Sequence, residues 1–223
     1  KVFKKPPSSI EFKNGLILSG NKSMTFKELA FSCWENRISL SSTGFYKTPK
    51  ISWDQEKFKG SPYFYFTWGA AVSEAIIDID TGESRILRAD IIQDCGSSLN
   101  PLIDRGQIEG GFIQGIGWLT CEELYFNPEG KLLTLGPSTY KIPGSRDVPP
   151  EFNIKLLKNT PNEEKTIFRS KAVGEPPLLL SISHFLALKN AVSMASETSN
   201  ADLLNAPATP SKILAAVHND HSM

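Results

Sequence analysis

The stretch from Asn100 to Trp118 constrains this chain most: it reads as a helix that carries five glycines. Asn100 is placed to cap it, and Pro101 takes the first helical position, where a missing N–H leaves nothing unsatisfied. A glycine inside a helix weakens it by about 1 kcal/mol against alanine, so five of them imply that something comes close to the backbone. Gly106 with Gly110, and Gly111 with Gly115, stand four apart and leave one-turn gaps in the surface. Such gaps suit either another helix or a flat ligand. Gln107 and Gln114, seven apart, present two amides from one face.

The stretch from Ser170 to Leu180 places the chain's best-prepared carboxylate. Gly174 lets a bulky group approach the backbone. Pro176 is expected to push Glu175 into an extended conformation and to stiffen it. Pro176 and Pro177 suit a first helical turn, and residues 178–195 read as a helix apolar on most faces and therefore largely buried. A carboxylate at the positive end of that helix suits a general base. On the residues alone, an acid that only stabilises the helix start is the competing reading.

The remaining chain alternates short elements. Asn14-Gly15 marks a hairpin within residues 10–18. Ser23 or Thr25 caps a helix over 26–37, with Glu28 completing a capping box. Its stripe of Phe26, Leu29, Ala30, Cys33 and Trp34 reads as core. Residues 41–62 read as a long irregular loop, of the kind that carries function or wraps a partner. Residues 63–79 read as a strand broken at Gly69-Ala70-Ala71, turning at Asp80-Thr81-Gly82 into a strand over 83–94. A hairpin follows over 122–135, turned at Asn127-Pro128-Glu129-Gly130, then a stiff loop over 136–143. Short strands are expected at 151–157 and 166–171, a polar linker at 196–205, and a helix at 211–217 capped by Thr209 or Ser211. Hairpins mixed with helices make the fold class α+β.

Composition excludes several functions. With 24 basic and 24 acidic residues the net charge is zero, so the footprint of a nucleic-acid binder is missing. Cys33, Cys95 and Cys121 form no C-x-x-C pair and read as reduced thiols. His184, His218 and His221 have no ligand spacing, the last two being placed in a polar tail, so no metal ligands are expected from this chain. There is no membrane-length apolar run and no secretory signal, which reads as a cytoplasmic protein without a membrane partner. No Walker A loop, nucleophile elbow or H-E-x-x-H occurs, and the glycines at 110–117 lie inside a helix rather than after a strand. Glu122 and Glu123, as strand neighbours, point to opposite faces and make a poor acid/base pair.

Five ordered motifs nevertheless belong together: Ser41-Ser42-Thr43-Gly44-Phe45-Tyr46, Asp94-Cys95-Gly96-Ser97-Ser98-Leu99-Asn100-Pro101, Gly106-Gln107-Ile108-Glu109-Gly110-Gly111-Phe112, Gly136-Pro137-Ser138-Thr139-Tyr140-Lys141-Ile142-Pro143 and Ser170-Lys171-Ala172-Val173-Gly174-Glu175-Pro176-Pro177. This set resembles the C-terminal part of the molybdenum-binding subunit of xanthine dehydrogenases, in the bacterial, separately encoded form. They are members of the xanthine oxidase/aldehyde oxidase family of molybdenum hydroxylases. The likeness runs from Ile10 to Val217.

The resemblance implies concrete roles. Glu175 would be the active-site base, taking a proton from a molybdenum-bound hydroxide whose oxygen attacks an electron-poor purine carbon. Gln107 would lie beside the molybdopterin, with the backbone at Gly110 and Gly111 close to the pterin and Lys171 and Gly174 on the facing loop. Electrons would leave through 2Fe-2S and FAD centres on other domains or subunits. Pro176-Pro177 resembles the xanthine-oxidising branch, since animal aldehyde oxidases commonly carry small residues there. That favours hypoxanthine or xanthine as substrate. The alternatives are a related aldehyde or N-heterocycle hydroxylase, or a non-catalytic structural or assembly module.

The family's other cofactor loops, rich in glycine, phenylalanine and arginine, have no counterpart here, nor do the residues that orient the purine. Residues 1–223 are therefore expected to be the C-terminal portion of a molybdopterin-binding domain, with 196–223 a polar linker and short helix. The expected partners are a purine substrate, the upstream half of the same subunit and an iron–sulfur/flavin subunit, in an oligomeric enzyme. Alone, the chain would fold but neither hold molybdopterin nor oxidise xanthine. An exposed apolar patch would be lined by Phe112, Ile113, Ile116 and Trp118.

Overall fold

The structure, a computed structural model, describes residues 3–220, so His221 lies outside the described residues. The chain divides between Lys50 and Ile51 into two units.

In the first unit, β1 (Glu11–Lys13), β2 (Leu16–Ser19) and β3 (Lys22–Thr25) form an antiparallel meander. Asn14 and Gly15 join the first two strands, both with positive φ, as a tight hairpin turn requires. β3 runs directly into α1 (Phe26–Glu35). Thr25 caps this helix: its hydroxyl accepts from the Glu28 N–H at 3.1 Å, and the Glu28 carboxylate accepts from the Thr25 N–H at 2.7 Å. The capping box is as the sequence implies; the core assignment of the apolar stripe is not. Phe26 and Trp34 are 62% and 67% exposed, and no α1 residue is buried. Strands of three and four residues offer too little apolar surface within this unit to cover a helix face.

The second unit opens with a small hairpin, β4 (Ser52–Asp54) against β5 (Lys59–Ser61), inside the stretch expected to be irregular. Asp54 organises its turn by accepting from the Glu56 and Lys57 N–H groups, both at 3.0 Å.

The main sheet has the order β6 (Gly69–Ile77), β7 (Ser84–Gln93), β8 (Glu151–Leu156), with β6–β7 antiparallel and β7–β8 parallel. The glycine at 69 is not a break but the strand's beginning, paired with Gln93, and residues 63–68 are not strand. At the turn, Asp78 accepts from the Asp80 and Thr81 N–H groups at 2.9 Å each. Two other expected strand regions are looser. Residues 122–135 keep the turn but only a single bridge, Phe126 with Leu132. Residues 166–171 hold a short 3-10 turn (Ile167–Arg169) instead of a strand, since Phe168 and Arg169 take positive φ, which no extended strand adopts, and they pair with the sheet region at a Gly96–Ser170 bridge.

The helix α2 (Pro101–Thr120) begins where Asn100 accepts from the Leu102 and Ile103 N–H groups at 3.2 and 3.3 Å. Its Ile108, Phe112 and Ile116 pack with Ile86, Ala89, Ile91 and Cys95 as one core. Phe112 and Ile116 are therefore interior, not an exposed patch: they share one helix face turned to the sheet, while Trp118 stays exposed. After a 3-10 helix (Pro176–Ser181), α3 (Ile182–Ser193) buries one face through His184, Leu188 and Val192. It is not buried on most faces, since Leu179 of the preceding 3-10 turn and Leu186 are exposed. A second core joins Leu188 and Val192 to Leu204, Ala208, Ile213, Ala216 and Val217, the last three from α4 (Pro210–His218). The stretch read as a polar linker thus plants Leu204 in a core, and His218 closes α4 rather than lying in a tail. The architecture is α+β.

Candidate active site

The glycines of α2 fall into two sets. A Cβ built on Gly111 would lie 3.3 Å from the Pro177 Cβ and 3.5 Å from the Gly174 oxygen. One on Gly115 would lie 2.5 Å from the Leu178 oxygen, and one on Gly117 2.5 Å from the Pro143 Cδ. These three glycines exist for close packing of protein on protein. Gly106 and Gly110 meet nothing within 4 Å. They leave bare helix backbone open, on the side where Gln107 and Gln114 are also exposed.

Packing of Gly111 and Gly115 brings the loop 174–178 onto α2. A Cβ at Gly174 would stand 3.7 Å from the Gln107 Oε1, so the Gln107 amide lies beside the residue preceding Glu175. Glu175 is exposed and makes no capping hydrogen bond with its side chain. Its backbone is helical, with φ −93° and ψ −41°, not extended as Pro176 implies. The reason is local: the Glu175 carbonyl accepts from the Leu178 N–H at 3.1 Å, closing the first 3-10 turn while Pro177 seats on Gly111. That turn outweighs the pre-proline preference.

Lys171 stands apart from Gln107, Gly110, Gly111, Gly174 and Glu175. Its ammonium lies 2.5 Å from the Asp94 Oδ2, with side chains 11% and 3% exposed. Asp94 has no role in the sequence reading beyond its motif. The available signal is an acid at the inner end of a strand, two residues before a glycine whose N–H it accepts at 2.8 Å. Glu122 and Glu123 are not paired with each other: the Tyr140 hydroxyl donates to Glu122 at 2.7 Å, and Lys212 faces Glu123 at 3.9 Å.

Three groups away from this face are perturbed by burial. Desolvation lowers His184 to about 4, and its Nδ1 has no partner. Burial, followed by the nearby Asp104 and Asp94 charges, raises Cys95 to about 11. Cys121 is raised chiefly by burial. All three cysteines are free. His184 and Cys121 line a cavity of about 570 Å³ with Arg85, Lys141 and Arg146, which Glu175 does not line. Among the described residues no helix is long and apolar enough to cross a membrane.

An exposed carboxylate, a neighbouring primary amide and a bare stretch of helix backbone make a one-sided platform. It offers a proton acceptor, a group that both donates and accepts hydrogen bonds, and room for a flat ring system. A Cβ at Gly110 would occupy that room, so the residues present fit a planar pterin.

Comparison with known proteins shows the family to which the chain belongs. The family model described as "Molybdopterin cofactor-binding domain" matches residues 1–149. Xanthine dehydrogenase/oxidase of Felis catus is 50% identical over 200 residues, which cover 86% of this chain and 15% of that protein. The chain thus spans about 15% of the length of the curated relatives it matches. Among solved structures, aldehyde oxidoreductase from Desulfovibrio gigas is similar with a TM-score of 0.60 and 26% identity, covering 89% of this chain and 20% of that one. A Cu,Mo-CO dehydrogenase shares the fold, with a TM-score of 0.62 and 19% identity over 95% of this chain and 25% of its own.

Proposed function

Because this chain belongs to the molybdopterin cofactor-binding domain family, we propose that it supplies the base and one wall of the active site of a molybdenum hydroxylase acting on hypoxanthine or xanthine. The observation that carries this reading is the seating of the Gly174-Glu175 turn beside Gln107, at the edge of the open backbone of Gly106 and Gly110. When bound, the molybdenum cofactor supplies the two-electron oxidant. The chain's own residues do the rest. Glu175 accepts the proton of a water-derived oxygen nucleophile as that oxygen attacks an electron-poor ring carbon. Its position at the edge of the platform leaves the carboxylate free to reach the nucleophile from one side. Gln107 holds ring or cofactor heteroatoms with its amide, and Gly110 keeps side chains out of the ring's way.

Nothing lies within 4 Å of a Cβ on Gly106 or Gly110, so in this reading the remaining walls come from another polypeptide segment. The 2Fe-2S and FAD centres that carry electrons onward belong to other domains or subunits in this reading, and the assembly is oligomeric. The substrate assignment is supported by Pro176-Pro177 and by the likeness to the xanthine dehydrogenase/oxidase of Felis catus. The likeness to the aldehyde oxidoreductase favours one second reading, an aldehyde as substrate.

The test is Glu175→Gln in the complete, molybdenum-loaded enzyme of which this chain is a part, assayed with xanthine, hypoxanthine and an aromatic aldehyde. Loss of a general base lowers turnover by about 10²–10⁴, with molybdenum content unchanged. A fully loaded variant that keeps a tenth of its turnover rejects Glu175 as the base. Turnover with the aldehyde alone rejects the purine assignment.

A further inference from the structure

The loop that carries Glu175 leaves the protein body through residues 169–171, and those residues are fastened to the segment that launches α2. Lys171 donates its N–H to the Cys95 carbonyl at 2.9 Å, and Ser97 donates to the Arg169 carbonyl at 2.9 Å. Gly96 and Ser170 form a bridge between these two backbone bonds. Gly96 takes a φ of 62°, and a Cβ on it would lie 3.0 Å from the Lys171 nitrogen, so the two backbones lie too close for a side chain. Asn162 and Thr166 hold the Ser170 carbonyl from the other side, at 3.2 and 2.7 Å.

At the centre of this junction lies the Asp94–Lys171 pair. Asp94 Oδ2 takes the ammonium at 2.5 Å, while Oδ1 accepts from the Gly96 N–H at 2.8 Å and the Thr160 hydroxyl at 3.3 Å. The ion pair is almost wholly removed from solvent. Two charges so placed, with the carboxylate held by the ammonium, the Gly96 N–H and the Thr160 hydroxyl, define one geometry, because any slip strands a charge away from water. Six residues beyond Asp94 stands Asn100, the cap of α2, and α2 carries Gln107; four residues beyond Lys171 stands Glu175. The pair therefore sits at the root of both arms of the candidate site.

We propose that Asp94 and Lys171 are positioning residues that fix the Glu175 carboxylate relative to the Gln107 amide, and that Lys171 does not contact the cofactor. The proposal rests on the reading of Glu175 as the base. Removing the ammonium frees the 171–175 arm. The carboxylate then samples orientations that cannot reach the nucleophile, although substrate and cofactor still bind. A positioning defect falls on kcat and leaves KM in place. A lost cofactor contact falls on molybdenum content.

The Leu178 amide, which donates to the Glu175 carbonyl, reports on this arm directly. The experiment is Lys171→Met, with Asp94→Asn/Lys171→Met as the second variant in case a lone buried carboxylate prevents folding. In the 223-residue chain without cofactor, amide hydrogen exchange at Ala172 and Leu178, whose N–H groups donate to the Tyr65 hydroxyl and the Glu175 carbonyl, should quicken at least tenfold, while exchange within α2 stays as it was. In the complete, molybdenum-loaded enzyme, kcat should fall ten- to a hundredfold with KM and molybdenum content unchanged. Lys171→Arg, which restores the charge pair, should recover most of both effects. Unaltered Leu178 exchange in a folded variant overturns the proposal, as does loss of molybdenum with unaltered exchange. The exchange measurement separates this idea from the base assignment. Quickened exchange together with an active Glu175→Gln variant rejects the base and leaves the positioning pair standing.

Discussion

Gly115 faces the backbone of Leu178 so closely that a Cβ on it would lie 2.5 Å from the Leu178 carbonyl oxygen and 2.8 Å from the Ser181 Cβ. This contact holds the glycine-rich helix against the turn that carries Glu175. Backbone cannot yield as the tip of a flexible side chain does, so Gly115→Ala should destabilise the chain by about 1–3 kcal/mol in urea melts. A neutral or stabilising result would mean that α2 and the 174–181 segment are not seated together.

Gly110 should behave in the opposite way. Nothing lies within 4 Å of a Cβ there, so Gly110→Ala should raise stability by up to about 1 kcal/mol through helix propensity. Gly110→Leu should leave the melting temperature of the cofactor-free chain unchanged or higher, yet lower molybdopterin retention in the loaded protein. Retention equal to that of the unsubstituted protein would show that the open backbone is not the pterin's platform.

Acid should weaken the fold through His184. Burial lowers its folded-state value to about 4, below the ordinary 6.5, so the unfolded chain binds this proton more readily between those two values. The stability it contributes is therefore complete above pH ~6.5 and is lost as pH falls toward ~4, at no more than about 1.4 kcal/mol per pH unit. Asp78, held low mainly by the Thr81 and Asp80 backbone amides, acts in the same direction only in more acid solution. Urea melts at about pH 7 and pH 5 should differ by about 2 kcal/mol for the native chain and much less for His184→Gln. An equal acid limb in both proteins would assign the effect elsewhere.

The thiols should react in order of access. Cys95 is buried and raised to about 11, while Cys33 and Cys121 are part-exposed. Brief alkylation near neutral pH, followed by mass spectrometry, should label Cys33 and Cys121 and leave Cys95 free until the chain unfolds. Early labelling of Cys95 would show that the β7–α2 junction opens in the native state.

What could be read from the residues was local chemistry. The Thr25–Glu28 capping box, the Asn14-Gly15 turn and the Asn100-Pro101 start of α2 rest on neighbours a few positions apart, and the structure holds each of them. The apolar stripe of α1 misled because periodicity shows which side chains share a face, not whether a second layer exists to cover it. Glu175 misled in the other direction, as a pairwise backbone preference yielded to a turn whose packing partner, Gly111, lies 64 positions away. At the candidate site, Gln107 and Gly174 stood in motifs that implied a role for them, whereas Asp94 stood in a motif that implied none. Its importance comes from Lys171, and a pairing across 77 residues leaves no periodic trace.

The parallel pairing of β8 with β7 also sets an order of events. Arg88 pairs with Glu151, and the intervening 62 residues contain all of α2. The β6–β7 hairpin closes a loop of only a few residues, so it assembles on local contacts. The third strand must wait for a far larger excursion to close, and closing that excursion costs chain entropy before any strand contact repays it. Until β8 arrives, the β7 edge stands open with its backbone unpaired, a template for another chain. The slow, concentration-sensitive phase of refolding should therefore be completion of this sheet, and destabilising β8 should increase aggregation more than it slows formation of the hairpin.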